Sequence, residues 1–533
     1  MIDASQIAKR PTTSPRAIDT LVICPPLFRP VLQPWLDLRA AQGHHIEVIG
    51  NEGTAASLRA QIRDRANRFP LRYVVLVGDA EPDHASNPQV RQRSVPTFRA
   101  EADVTAPWDE DPWISTDHPY ADLNDDQTPE LAVGRLSADS PRELQTLIRK
   151  IVAYESLPKT GLWRRRIHFV AGLGGFGPIT DAVIQLAAKK IIGTDIPASY
   201  KATMTFANWR SPYCPDPRYF RDRVLERVRE GGLFWIYLGH GHQQRLDRFA
   251  VADGLFPILE PHDVPSVQSN QGLPIALLLA CHTGAFNGHE DCLAEYLLRT
   301  PRGPVAVISG SRVTMPYSMA ALGTGFLDAF FEQRVTDLGT LFLEAKRSLS
   351  KPPEELGANR KLLDGIAKTL SPSKLELAAE REEHQLLFNL LGDPLLRLKH
   401  PEPLEVACRR HVEAEEVLQV TGKAPFGGVC LVELVCRRDR LRFEAQKRRK
   451  ADISDERLSE MDATYRLAND QRWTAVRLEV QPGPFSTQLR IPREAHGSCY
   501  IRLFLQGEDN FALGESPLYV ASGSADTRAH ARR

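Results

Sequence analysis

A chain of 533 residues exceeds the ~250–300 at which single hydrophobic cores stop growing, so roughly two to four domains are expected. Its 67 Lys+Arg balance 67 Asp+Glu, which excludes a dedicated polyanion binder, and its 42% hydrophobic content excludes an acidic disordered chain. Eight cysteines without a C-x-x-C pair exclude a disulfide scaffold and leave structural zinc unsupported; they read as thiols of a reducing compartment. Residues 1–19 lack the apolar core of a secretory signal, and the longest apolar runs, such as residues 275–281, fall short of the ~20 a membrane span needs. A cytoplasmic protein with no membrane partner is expected, and nucleic acid is disfavoured as a partner.

In chain order, TLVICPP, HIEVIGN and YVVLVGD (ending at Asp79) are short apolar runs separated by helical stretches near residues 31–42 and 55–67. Gly43 sits where a helix C-cap favours positive φ. Continuous rather than alternating runs predict parallel strands covered on both faces. Ser140-Pro141-x-Glu143 is a capping box with Pro at the first helical position, and Leu144, Leu147, Ile148 and Ile151 follow at helical spacing. A second α/β unit begins at Arg164, with strands RRIHFVAG, LFWIYLG, LPIALLLAC and GPVAVISG and helices near residues 219–229, 292–299 and 319–348. Residues 351–372 read as surface loop and short helix, and another helix leads to FNLLGDPLLRL. HPEP (400–403) reads as a linker. The alternating runs after it, from LEVACRRH to LYVASG, predict a β-sandwich of ~120 residues.

Two strands of the second unit end alike: LFWIYLG runs into His240-Gly241, and PIALLLA into Cys281-His282. Reactive groups gather outside the carboxyl ends of parallel strands. If these strands are neighbours, His240 and Cys281 leave the sheet at one edge within reach of each other. A thiol beside an imidazole is an activated nucleophile, and the N–H groups of Gly241 and Cys281 are candidates for an oxyanion hole. Taken singly, each residue is more simply a buried thiol or a strand-end histidine; the pairing of two strand ends is what raises the chemical reading.

The pattern apolar block–His-Gly followed by apolar block–Ala-Cys resembles the caspase-like cysteine peptidases (clan CD), which include caspases, legumains and gingipains. YVVLVGD (73–79), residues 116–155, ACHTGAFNGHEDCLAEYLL (280–298) and FNLLGDPLL (388–396) resemble the gingipain type in particular, in the right order over roughly residues 20–400. The resemblance implies two caspase/gingipain-like α/β subdomains with parallel sheets (19–160 and 161–399), followed by an Ig-like β-sandwich with a charged insertion (404–522), between a flexible N-terminus (1–18) and tail (523–533). It implies a cysteine endopeptidase with Cys281 as nucleophile, His240 as general base and acid, and the N–H groups of Gly241 and Cys281 at the oxyanion. Gingipains orient the histidine with a glutamate after the first strand of this subdomain. The matching position here is Leu173, so a dyad rather than a triad is expected. Asp181 falls near the position that selects a basic P1 residue, whereas Arg312 lies where clan members build the S1 wall and would favour an acidic one. The expected partners are a protein or peptide substrate and a regulatory protein; no cofactor is expected.

Other features carry competing readings. Gly172 to Gly177 reads G-x-G-x-x-G between strand and helix, the basis of a nucleotide-binding alternative, but no acidic residue ends the following strand, and a close-packed glycine turn explains it better. His240, His242, His282 and His289 with Cys281 lack the spacing of a zinc site, so no metal is expected there. Asp122, Asn124, Asp125 and Asp126 offer a calcium loop, with a solvated turn the simpler reading. Residues 437–450, rich in Arg and Lys, read as a solvated helical insertion. A catalytically silent scaffold is the remaining alternative to the peptidase.

Overall fold

The computed structural model describes residues 17–109, 111–156, 160–172, 193, 196–251, 254–370, 377–448 and 454–521. The short apolar runs become strands β1 (Thr20–Ile23), β2 (Ile46–Ile49), β3 (Tyr73–Val77), β4 (Ala132–Leu136), β5 (Arg166–Ala171), β6 (Lys201–Phe206), β7 (Phe234–Leu238), β8 (Ile275–Leu279), β9 (Ala306–Gly310) and β10 (Phe388–Leu391). They form one ten-stranded sheet in the order β2-β1-β3-β4-β10-β9-β8-β7-β5-β6. Every residue of β3, β8 and β9 is buried, as continuous apolar strands require when helices cover both faces.

Two parallel sheets are expected from the sequence; the structure joins them into one. The strand responsible is β10, which runs parallel to β4 (Leu391 opposite Arg135) and antiparallel to β9 (Phe388 opposite Gly310). Its four residues, FNLL, are buried throughout and use both hydrogen-bonding edges. The antiparallel seam reverses one half of the sheet relative to the other. Asn389 bonds Asp117 N–H, so the amino-terminal half turns its loop between residues 98 and 117 toward the edge where β8 and β9 end.

Helix α1 (Arg29–Ala41) stops before Gly43, which has φ +95°, and α2 (Ala55–Arg68) opens with a reciprocal Thr54–Ser57 capping box. Further helices of this region include α3 (Pro141–Ser156), α4 (Phe220–Arg229), α5 (Leu293–Arg299), α6 (Pro316–Phe331), α7 (Leu338–Ser350), α8 (Ala358–Leu370) and α9 (Leu377–Leu387). The single run expected over residues 319–348 is thus two helices, because Asp337 caps a new one by accepting Thr340 N–H at 2.7 Å. Past β10, fully buried Asp393 accepts from Trp35 Nε1 and from Arg39, each at 2.5 Å, pinning α1 to the end of the sheet.

Residues 402–521 form a six-stranded and a three-stranded sheet that share a core including Leu418, Val420, Val432, Leu434, Ile501 and Leu503. The basic stretch there is not a solvated helix. Its described part, residues 437–448, is non-helical, and the helix of this region, α10 (Asp455–Ala468), follows it. Buried Arg438 donates to the carbonyls of Ile196, Pro197 and Tyr200, and Arg448 to those of Trp209 and Ser211. These loop carbonyls, with acceptor capacity beyond their own backbone bonds, draw the arginines inward and so bind the segment to the large sheet domain. Beyond α10, Asn469 pairs with both the N–H and the C=O of Met204, closing the free edge of β6. Among the described residues, no helix is long and apolar enough to cross a membrane.

Candidate active site

Strands β7 and β8 are parallel neighbours with Leu238 opposite Leu279. His240 and Cys281 each lie two residues further on, so both leave the sheet at the same register, as the paired strand ends predict. The backbones meet at Gly241: a Cβ there would lie 2.7 Å from Cys281 O and 2.9 Å from Ala280 Cβ, so only glycine permits the approach. Buried Tyr237 donates its hydroxyl to His240 O at 2.7 Å and fixes the turn that carries the imidazole. The same hydroxyl explains Gly172, where a Cβ would come within 2.8 Å of it. That is the close-packed role expected of the first glycine in the G-x-G-x-x-G run. Residues 173–177, and with them Leu173, lie outside the described residues, as does Asp181.

After the nucleophile the chain reverses sharply. His282 takes φ +56°, a left-handed conformation costing on the order of 1–3 kcal/mol in a residue with a Cβ. It is held by His282 N–H to Arg312 O at 3.1 Å, Thr283 N–H to Cys281 O at 2.7 Å and Gly284 N–H to Gly310 O at 2.8 Å. Half-exposed Cys281 is left against the loop after β9. Its Sγ accepts Thr314 N–H at 3.4 Å and lies 3.6 Å from Thr314 Oγ1.

Arg312 is buried, and its guanidinium bonds Asp111 at 3.1 Å, Asn287 at 3.2 Å and Ser115 at 3.3 Å. Asp111 therefore already balances the charge expected to receive an acidic P1 residue. The neighbouring Asp109 lies 3.6 Å from His282 Nε2 and accepts Val313 N–H. Burial, opposed by Asp109, keeps the His282 imidazole below its usual pKa. These carboxylates come from the amino-terminal half, a long-range contact with no signature in the local sequence. Trp108, beside Asp109, is 68% exposed.

One helix braces both walls. On α9, Glu383 accepts Asp103, Val104 and Thr105 N–H and the Thr105 hydroxyl, while Glu380 accepts Ser318 N–H and hydroxyl. His384 accepts Met315 N–H at 2.7 Å, and its Nδ1 donates to Glu380 O. Burial pushes His384 down to about 4, so it stays neutral and keeps an acceptor toward Met315. Sequence reading missed Asp109, Thr314, Glu383 and His384. Only Pro316, at the first turn of α6, marks locally that Thr314 precedes a helix.

Among the described residues, the carboxylate groups close enough to share an ion are Asp79 with Glu81 and Asp139, and Asp79 with Asp291 and Glu295; neither set includes Cys281 or a histidine. Arg299 lies among them, 2.7 Å from Asp139 and 2.8 Å from Asp291, and supplies compensating charge. In the acidic loop, Asp122 accepts Asn124 and Asp125 N–H, and Asp125 pairs with Arg59 at 2.8 Å and Arg63 at 2.7 Å. The carboxylates proposed for calcium are thus engaged in a hydrogen-bonded turn.

Comparisons with known proteins agree with this architecture. Gingipain R2 of Porphyromonas gingivalis is 24% identical over 305 residues, covering 55% of this chain and 36% of its own length. Lys-gingipain of the same organism is 22% identical over 308 residues, covering 55% of this chain and 15% of its own length. The chain thus spans about a third or less of these relatives. The crystal structure of the Arg-specific cysteine proteinase gingipain R superimposes with TM-score 0.54 at 15% identity, covering 96% of this chain and all of that one. The complex of the pro- and mature domains of RgpB gives 0.51 at 16% identity, over 94% of this chain. These structural likenesses show a shared fold. Residues 13–399 match the sequence profile of peptidase family C25, and on that match, over most of its length, the chain belongs to this family.

Proposed function

We propose that the chain is a cysteine endopeptidase working through a Cys281–His240 dyad. The observation that carries this reading is the equal register of the two residues past β7 and β8, with Gly241 packed against the Cys281 backbone. The Cys281 thiolate attacks the peptide carbonyl carbon, and the charge on the tetrahedral oxygen falls to the N–H groups of Gly241 and Cys281. The C–N bond then breaks as protonated His240 gives its proton to the leaving amine. Water, deprotonated by His240, attacks the thioester, the acid product leaves and the thiol is restored. No cofactor enters these steps.

Arg312, balanced by Asp111, acts in this reading as a strut of the substrate wall rather than as a receptor for an acidic side chain. The region from 402 to 521 is read as an Ig-like sandwich fastened to the catalytic part through Arg438 and α10. A cytoplasmic setting is supported by eight free cysteines, and control by a partner or by self-cleavage belongs to the same reading. A structural relative is known as a complex of its pro- and mature domains. Turnover of a peptide library by wild type and by Cys281→Ala tests the assignment. The variant is expected to lose at least about 10³-fold in kcat/KM; equal turnover would refute it.

A further inference from the structure

Thr314, a polar neighbour of the nucleophile, carries none of the roles assigned above. Thr314 is 2% exposed and immediately precedes Met315, the N-cap of the sixteen-residue helix α6. Its N–H points at Cys281 Sγ (3.4 Å), its carbonyl lies 3.7 Å from the same sulfur, and its hydroxyl, 3.6 Å away, also reaches Met319 Sδ at 3.1 Å. Because His384 takes the Met315 N–H, that donor is engaged on the helix side, whereas the Thr314 N–H is directed at the sulfur.

We propose that Thr314 is the positioning residue of the nucleophile, holding Sγ in its attacking rotamer and sharing the negative charge on sulfur before attack and again when the thioester is cleaved. Two states of one contact follow from the donor inventory. With sulfur protonated, S–H donates to Thr314 O, and the threonine hydroxyl spends its one proton on Met319 Sδ. With sulfur as thiolate, the carbonyl is no longer a partner, and the hydroxyl turns its proton from Met319 to Cys281 beside the constant N–H. In this exchange the S–H bond breaks and its proton forms an N–H bond on His240, while the threonine hydroxyl only reorients and keeps its own O–H bond. The N-terminal end of α6 adds favourable potential for the anion. The charged and polar groups on the neighbouring elements are His240, His282, Tyr237, Arg312 and Asp109. Of these, Arg312 is paired with Asp111 and His282 with Asp109, and the Tyr237 hydroxyl is used on His240 O.

The proposal rests on the peptidase reading, and its test separates the two. Thr314→Val keeps the shape and the backbone N–H and removes the hydroxyl; Thr314→Ser restores it. The rate at which iodoacetamide alkylates Cys281, located by mass spectrometry at neutral pH, reports the sulfur without requiring turnover. The valine variant is expected to alkylate about tenfold more slowly. It should also lose kcat by a similar factor with KM changed less than about twofold, while serine recovers most of both. Equal alkylation of valine variant and wild type would overturn the role of Thr314, whatever the turnover. An alkylation difference in a wild-type enzyme that cleaves no peptide would instead refute the peptidase reading and leave Thr314 in place.

Discussion

His240→Ala is expected to lower kcat about 10³–10⁴-fold, with KM changed little and the melting temperature preserved. The imidazole is asked to take the thiol proton, to give a proton to the leaving amine and then to take one from the attacking water. Without it, the amine departs unprotonated, and water must attack the thioester without a base. The backbone carrying residue 240 should hold its place, because Tyr237 bonds the carbonyl rather than the ring and Gly241 packs through its main chain. Steady-state kinetics on a fluorogenic peptide, with a melting curve for each protein, decides the matter. A loss under tenfold would mean that another group carries the protons.

Asp393→Ala is expected to cost about 3–5 kcal/mol of stability, the penalty for stranding one partner of a buried ion pair. Asp393 and Arg39 are both fully buried, and the carboxylate also accepts Trp35 Nε1 and Leu395 N–H. Removing it leaves Arg39 with Glu155 and Gln42, and leaves the Trp35 indole without its acceptor. The pair ties α1, near the start of the chain, to the turn after β10, and so fixes the strand that fuses the two halves of the sheet. Asp393→Asn, which keeps an acceptor for Trp35 but not the charge, should fall between wild type and alanine. Urea denaturation gives the values; a cost below about 1 kcal/mol for alanine would show that the tie is dispensable.

What could be read from the sequence and what could not divide along physical lines. The strands ending at Leu238 and Leu279 were legible because uninterrupted apolar runs have few alternatives, and the His-Gly and Cys-His that follow are local. The capping box at Ser140 and the C-cap at Gly43 were legible for the same reason. The fusion of the sheets was not, since it depends on both edges of a four-residue strand whose partners lie far away in sequence. The basic stretch after Cys436 is misread because charge is ordinarily solvated; a cluster of carbonyl acceptors between residues 196 and 211 reverses that preference, and no local pattern announces it. Thr314, Asp109, Glu383 and His384 meet only after folding brings the loop near residue 105, the start of α6 and α9 together.

The nucleophilic role of Cys281 is tested most directly by the identity of the residue that a peptidyl acyloxymethyl ketone modifies, read by mass spectrometry of the digested protein. Cys24, Cys214, Cys292, Cys430, Cys436 and Cys499 are buried, and burial raises the pKa of each of their thiols, so none of the six should compete. The expected result is one label, on Cys281, formed in step with loss of peptide turnover and greatly slowed in His240→Ala. Label on another cysteine with turnover lost, or full turnover after complete labelling of Cys281, would contradict it.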